Sequence, residues 1–507
     1  MGIIHASPGV YTQELDLTTS IGALQSTSPG VVGTATKGPM NTRTRVTSMH
    51  QFISTFGTPS YMAGLMADRY FRRGDHIDFV RVGTYQETAE VNLMSGVTLA
   101  AVAKGQTPGT YGNALQVVVS TGILANTIKL SVLSNSILVE SLDALTVGAA
   151  HVDEERYWET FVNANSDWIT LESVSTVVTT VTAGTYDLTG GSDGDPADAT
   201  DVIGAAGTGP SVPATGLFCL SNPEAVDINL MLVPGRSEAT ILAAMYNICE
   251  NVRGGDCMSI GDVPYGYSVN QAVNFHNGTG GGPTDPTEQL NTSYGMLAWP
   301  WCMSMDQYSG ANTWIAPSAY VAQACAYTDD VTNEWWQPAG LKRGVFSDVS
   351  EIEYSPTREE RDLLVGYGNC VSYIQNWSPY SAVLMDARTL YRTTSALQDV
   401  GVRRLMIGLK KRVATLAKYF IQDPNDASSW RDFESQVEVE LENLLTHRAI
   451  TYGQVKCDAS NNPATDQNRN IMNGDIMVQP IRAAKIIRLN FGILAQGVNF
   501  TEIEQQA

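Results

Sequence analysis

The stretch MAGLMADRYFRRGDHIDFVRV, residues 62–82, decides the fold class. Leu65, Met66 and Tyr70 recur at helical spacing with Arg69 flanking the apolar side, and Gly74 supplies a stop. HIDFVRV, residues 76–82, then alternates as a strand. A helix that hands over to a strand across one glycine turn is the grammar of an α/β layer. The neighbouring sequence repeats it. Residues 31–34 read as a short buried strand, and residues 51–56 as a short helix closed by Gly57. Farther on, residues 229–233 form a strand and Pro234-Gly235 a turn. Ser237 is an N-cap for a helix carrying Ile241, Leu242, Met245, Ile248 and Val252 on one face. Gly254-Gly255 end it, and residues 257–260 are the next strand.

Between residues 91 and 201 the texture changes. Thr, Val, Ser and Gly dominate, and the runs LQVVVS, TIKLSVL, SILVESL, WITLES and STVVTTVT are separated by turn residues, which predicts an all-β insert. It closes with YDLTGGSDGDPADATD. The two clearest helices come late. In VRRLMIGLKKRVATLAKYF, Leu405, Leu409, Val413, Leu416 and Phe420 form one stripe, and Arg404, Lys411 and Lys418 fall at seven-residue steps on the opposite face. No acid occurs from residue 400 to 422, so Arg404, Lys410, Lys411 and Lys418 form a basic face in an acidic chain. The next helix, SSWRDFESQVEVELENLLTHRA, has the stripe Trp430, Phe433, Val437, Leu441 and Leu444 and a polar face of Glu434, Glu438 and Glu442. Either charged face could meet a partner, the basic face could simply be solvated, or the two could pair with each other. GDIMVQPIRAAKIIRLNFGIL then predicts two strand-like segments.

Both ends read as tethered strands. In ASPGVYTQELDL, residues 6–17, Tyr11, Leu15 and Leu17 share one face and Thr12, Glu14 and Asp16 the other, with Val10 opening the strand. In GVNFTEIEQQA, Val498 and Phe500 share a face with Glu502, while Ile503 falls on the polar side. A strand needs a partner for its N–H and C=O groups.

The chain has 507 residues, 43% of them hydrophobic and 16% charged, which is the balance of a folded protein of about three domains. Its 52 acids and 31 bases give a net charge of −21, against a general nucleic-acid binder, which needs a basic face to displace counterions. The seven cysteines are odd in number and contain no CxxC pair, as expected of free thiols in a reducing compartment. No secretory signal is visible, Ala6 breaks a myristoylation motif at Gly2, and no apolar run reaches the ~20 residues of a membrane span. G-x-S-x-G, H-E-x-x-H and the P-loop motif are absent, so no catalytic or cofactor-binding residue is assigned. The six histidines lack metal spacing, and Asp193, Asp195, Asp198 and Asp201 read as a solvated turn rather than a Ca²⁺ loop. GTGGGP, residues 278–283, reads as a flexible loop, and Trp335-Trp336 as local packing.

Taken in order, these segments resemble the tail sheath proteins of contractile bacteriophages. SPGVYTQELD resembles the opening arm, and TSPGVVGTATKGPMNTRTRVTSMHQFISTFG and YFRRGDHIDFVRVG the next blocks. YGNALQV and LTGGSDG bound the insert. YGMLAWPW, IAPSAYVAQACAYTDD and WWQPAG resemble the middle, and DARTLY, GVRRL, DPNDASSW, VKCDASNNP and GDIMVQPIRAAKIIRL the C-terminal block. The resemblance implies a discontinuous α/β core with a subtilisin-like layer lacking a triad, an inserted all-β domain and extended terminal arms. It divides the chain into an arm (1–22), core (23–90), insert (91–205), core (206–400), C-terminal α/β sheath domain (401–494) and second arm (495–507). It implies a structural subunit, not an enzyme, without cofactor or metal. Self-assembly into six-fold rings around a tail tube follows, with tube, baseplate and terminator proteins as partners, in the virion tail after assembly in the host cytoplasm. Arm strands built on Val10, Tyr11, Leu15, Leu17, Val498, Phe500 and Ile503 would join neighbouring copies. Rival readings are the sheath of a tailocin or other injection system, an α/β hydrolase with an appended β domain, and a β-rich adhesin.

Overall fold

The computed structural model describes residues 27–489 except 175–177, 210 and 367. Its centre is a nine-stranded sheet of β1 (Pro29–Gly33), β2 (Arg43–Val46), β3 (Ile77–Arg81), β4 (Leu230–Leu232), β5 (Met258–Asp262), β6 (Gly295–Trp299), β7 (Val345–Phe346), β8 (Val371–Trp377) and β9 (Tyr380–Asp386). The spatial order is β7-β9-β8-β6-β5-β4-β1-β3-β2. The six strands from β3 across to β8 run parallel, and β2, β9 and β7 join antiparallel at the two sides.

Parallel strands are covered on both faces, so their sequences are nearly continuous apolar runs. Val31, Phe79, Leu230, Leu232, Ile260 and Met296 pack toward α1 (Met62–Tyr70) and α2 (Pro317–Val331). Val32, Val80, Met231 and Leu297 pack on the other side, against helices Ala239–Asn247, Val269–Asn277 and Arg358–Val365. The helix expected after Ser237 starts instead from Glu238, whose carboxylate is engaged by Arg236. The alternation of HIDFVRV marks two buried faces rather than a wet and a dry one. Asp78 is fully buried and accepts from Arg43 at 3.2 Å and Arg45 at 3.0 Å, and Arg81 donates to the carbonyls of Ala35, Gly38 and Pro108. These partners satisfy charges that would otherwise not survive burial.

The chain runs from β1 to β3 on one side and to β4 on the other, which makes the carboxyl ends of these strands a topological switch point. In many α/β proteins a ligand sits there. Here Asp262, at the end of β5, points into protein. It accepts from the Gly235 N–H at 2.9 Å and from both the N–H and hydroxyl of Ser318 at 2.7 Å. Burial pushes its carboxyl up to about 6 against the pull of those donors. A carboxyl whose folded pKa exceeds its unfolded value of ~3.9 stabilises most when protonated, and loses that contribution as pH rises toward 6. Asp262→Asn is neutral throughout, so the melting temperature of the variant minus that of the wild type rises between pH 4 and 6 and then levels off. A flat difference would show that Asp262 does not titrate there.

Between Thr84 and Asp201 the chain leaves the core and returns. The outgoing and incoming segments lie antiparallel, with Thr84 opposite Asp195, Glu87 opposite Ser192 and Glu90 opposite Thr189. The insert has a three-stranded sheet (Glu90–Ser95, Thr98–Gly105, Ile169–Ser173) and a four-stranded one (Leu115–Thr121, Ile128–Ser134, Ile137–Leu145, Gly184–Asp187). They enclose a separate core that includes Leu93, Val117, Leu130, Val132 and Ile169. The all-β expectation is corrected at two helices, one of them the short Ala199–Ile203, and at one missing strand. Trp158–Asn165 is a helix, because Trp158, Phe161 and Val162 recur at helical spacing and reach this core. STVVTTVT forms no strand over its described residues 178–182. Asp193 is engaged by the Thr110 N–H and hydroxyl at 2.8 Å, and Asp198 caps a short helix.

A fourth core holds α3 (Val400–Lys418), α4 (Ala427–Thr446) and the hairpin of β10 (Ile450–Lys456) and β11 (Asp475–Pro480). Among the described residues no helix is long and apolar enough to cross a membrane, and no group of three or more His, Cys, Asp or Glu could hold a metal. Six of the seven free thiols are buried and Cys219 is half-buried.

Candidate assembly site

The C-terminal unit starts from two amphipathic helices. Asp426 caps α4 by accepting from the N–H groups of Ser428 and Ser429 at 3.0 Å. The α4 stripe Trp430, Phe433, Val437, Leu441 and Leu444 is buried as its spacing requires. It meets Leu405, Leu409 and Leu416 of α3, with Phe420 edge-on to Phe433 at 5.5 Å. The same α4 stripe also packs Ile450 and Val455 of β10 and Ile476 and Val478 of β11.

That leaves one face of the hairpin outside. Tyr452 pairs across it with Gln479 and Gln454 with Met477, and Tyr452 and Met477 are 55% and 67% exposed. Among the described residues neither outer edge of this two-stranded sheet has a partner. Two strands alone are marginal in water, and unpaired edges invite further strands. The segment after β11, expected as a second strand, has no regular structure over residues 481–489. Its start is held by Arg482 on Asp399 at 3.4 Å and by Lys485 on Asp386 and Asp399 at 2.8 and 2.7 Å. Ile486, Ile487 and Leu489 beyond it are each more than 70% exposed.

The other end of the described chain is also fastened. The Thr27 hydroxyl contacts Asp329 and accepts from Arg404 at 3.0 Å, and the Tyr70 hydroxyl donates to the Thr27 carbonyl at 3.3 Å. Ser28 Oγ donates to the Asp227 carbonyl at 2.9 Å and lies 2.9 Å from His76 Nε2, while His76 Nδ1 lies 2.8 Å from Asp75. Hydroxyl, imidazole and carboxylate in line resemble a nucleophilic relay. Ser28 is only 3% exposed, and its own carbonyl accepts from Asn229 N–H. A substrate carbonyl has no approach, so the trio acts as a staple between this end and β3.

The charges singled out on α3 and α4 are placed very differently. Arg404 does not face outward: it is 4% exposed and ion-paired with Asp329. The first half of α3 is buried nearly all round, so a seven-residue step does not select an outer face there. Lys411 is drawn inward by Asp227 at 2.6 Å and the Ile228 carbonyl at 2.8 Å. Lys410 donates to the Tyr294 hydroxyl at 3.0 Å, and Lys418 is exposed. Arg412, which the sequence reading passed over, joins Glu334 at 2.8 Å and Glu440 of α4 at 2.6 Å. Glu434 is half-buried and Glu438 and Glu442 are exposed, with no ion pair to any described residue. The arm residues Val10, Tyr11, Leu15, Leu17, Val498, Phe500 and Ile503 lie outside the described residues.

Comparison with known proteins matches residues 392–493 to the phage tail sheath C-terminal domain family. The tail sheath protein of Vibrio phage KVP40 is 29% identical over 338 residues, which are 63% of this chain and 48% of the relative. The chain thus spans about half the length of that relative. Among solved structures, a sheath tail protein of Listeria innocua superposes with a TM-score of 0.63 at 11% identity, covering 90% of this chain and 92% of the other. The contracted PVC sheath complex of an extracellular contractile injection system gives 0.56 at 14% identity, covering 97% and 98%. At these identities the structures speak for the fold, a mixed α/β architecture with several sheets. The family match falls on the unit that carries the open hairpin and both charged helices, and the curated relatives to which the chain is similar are tail sheath proteins of phages.

Proposed function

We propose that this chain is the building block of a contractile tail sheath, polymerising as stacked six-membered rings around a tail tube. The observation that carries the reading is the β10–β11 hairpin, which buries one face on α4 and leaves both edges, and an outer face that exposes Tyr452 and Met477 beside Gln454 and Gln479, without partners among the described residues. Arms at residues 1–22 and 495–507 would supply the missing strands from other copies by β-augmentation. An arm strand of about six hydrogen bonds gains several kcal/mol at ~0.5–1.5 each, which ordering its residues at ~1–2 each roughly cancels. Burial of Tyr11, Leu15 and Leu17, or of Val498, Phe500 and Ile503, at ~1.5–3 kcal/mol per large side chain then decides in favour of docking. The charged fastenings of Thr27 and of Arg482–Lys485 set the points from which the arms leave, so bodies rotate while docked strands stay paired.

On this reading the remaining divisions are core 23–90 and 206–400, with a subtilisin-like layer that performs no catalysis, insert 91–205 and sheath domain 401–494. Contraction exchanges one set of contacts between copies for a better one, from a metastable extended state released at the baseplate. Tube, baseplate and terminator proteins are the partners, and the virion tail is the location. Solved sheaths of injection systems other than phages share the fold, which favours the same mechanics in a tailocin-like particle as the second reading. Purified full-length chain, concentrated and viewed in negative stain, forms long striated tubes. Discrete particles at all concentrations would refute the proposal.

A further inference from the structure

A basic cleft opens beside the β7 edge of the central sheet. It encloses 270 Å³ and is lined by Arg73, Gln323, Tyr327, Lys342, Arg343 and Tyr380 among others, with no carboxylate in its wall among the described residues. Arg73 stacks over the Tyr327 ring at 4.5 Å, and Arg343 over Trp336 at 5.0 Å, with Arg448 on the same ring at 5.7 Å. Arg73, Lys342 and Arg343 form no ion pair with any described residue, although the chain has 52 acids for 31 bases. Burial already lowers the pKa of Arg343. Gln323, 92% buried on α2, also lines the cleft, and its buried Oε1 has no hydrogen-bond partner among the described residues.

The same chain carries the complement. Glu434, Glu438 and Glu442 stand at four-residue steps on α4, about 6 Å apart along the axis. None is paired with a described cation, whereas Glu440 on the same helix is held by Arg412. Guanidinium groups fixed flat on aromatic rings are preorganised for carboxylates. We propose that this cleft receives the Glu434–Glu438–Glu442 ridge of a second copy of the chain. The two surfaces differ, so the contact is head-to-tail and repeats from copy to copy, as rings and helices require. The inference rests on the sheath reading and adds to it a contact made by folded bodies rather than by arms.

Charge exchange tests it. Arg73→Glu with Lys342→Glu makes the cleft acidic, and Glu438→Lys with Glu442→Lys makes the ridge basic. Each folded variant alone polymerises only at about tenfold higher concentration or worse, read by sedimentation and negative stain at low salt. Mixed in equal amounts they alternate, acidic cleft on basic ridge and basic cleft on acidic ridge, and assembly returns toward wild type. If a reversal impairs folding, Arg73→Gln with Lys342→Gln replaces it, with a smaller expected loss. Wild-type assembly by either variant overturns the contact, and a mixture no better than its parts assigns cleft or ridge to another partner and overturns it too. A wild-type chain that never self-associates sinks the sheath reading and this contact together.

Discussion

A chain lacking residues 1–20 folds, melts with the full chain and stays monomeric. The deletion stops short of Thr27 and Ser28, whose contacts to Asp329, Arg404, Tyr70 and His76 close this end of the core. What is removed is the proposed strand with Tyr11, Leu15 and Leu17, worth together about 5–9 kcal/mol of docking free energy if all three are fully buried. At ~1.4 kcal/mol per factor of ten, polymerisation weakens by more than about a thousandfold. Sedimentation velocity across a concentration series measures this directly. Normal polymerisation by the shortened chain would remove the arm from the assembly mechanism, and a collapse of the melting temperature would make it part of the fold.

The second large effect is inside the subunit. Arg404→Ala destabilises the folded chain by ~3–5 kcal/mol, because it strands Asp329 as a buried charge and takes a donor from Thr27. Replacing both partners, Arg404→Met with Asp329→Leu, recovers most of that loss, since two apolar side chains of similar volume need no counter-charge. Urea denaturation monitored by tryptophan fluorescence reads both. A cost below ~1 kcal/mol for Arg404→Ala would mean that the arginine is solvated and free for a partner, as an exposed pair would be. Lys418→Glu, by contrast, costs only about 1 kcal/mol, because Lys418 is exposed, makes no ion pair with a described residue and acts only on the C-terminal end of the α3 dipole.

Much of the architecture was legible from local pattern. The glycine turn between α1 and β3, the stripes of α3 and α4, and four of the five strand runs of the insert stand where their spacing put them. These signals are local: amphipathic period, caps and turn residues act within one element. The misses share the opposite character. α2 carries no stripe because eleven of its fifteen residues are buried, so periodicity has no polar side to register. The hairpin of β8 and β9 was likewise passed over. The segment 481–489 reads as β-prone, yet its described backbone forms no ladder, because strand propensity expresses itself only where a pairing edge is available.

The sequence by itself determined the kinds of element and their order, the acidic balance, and the lack of a recognisable catalytic motif. Those properties are set by composition and by neighbours a few residues away. Only the tertiary structure decided which charges are spent inside the subunit and which remain outside. Arg404 meets Asp329 from 75 residues away and Thr27 from 377, while Arg73, Lys342, Glu434, Glu438 and Glu442 form no ion pair among the described residues. An ion pair forms across a few ångströms of space whatever the separation along the chain, so the partition between buried and available charge belongs to the fold.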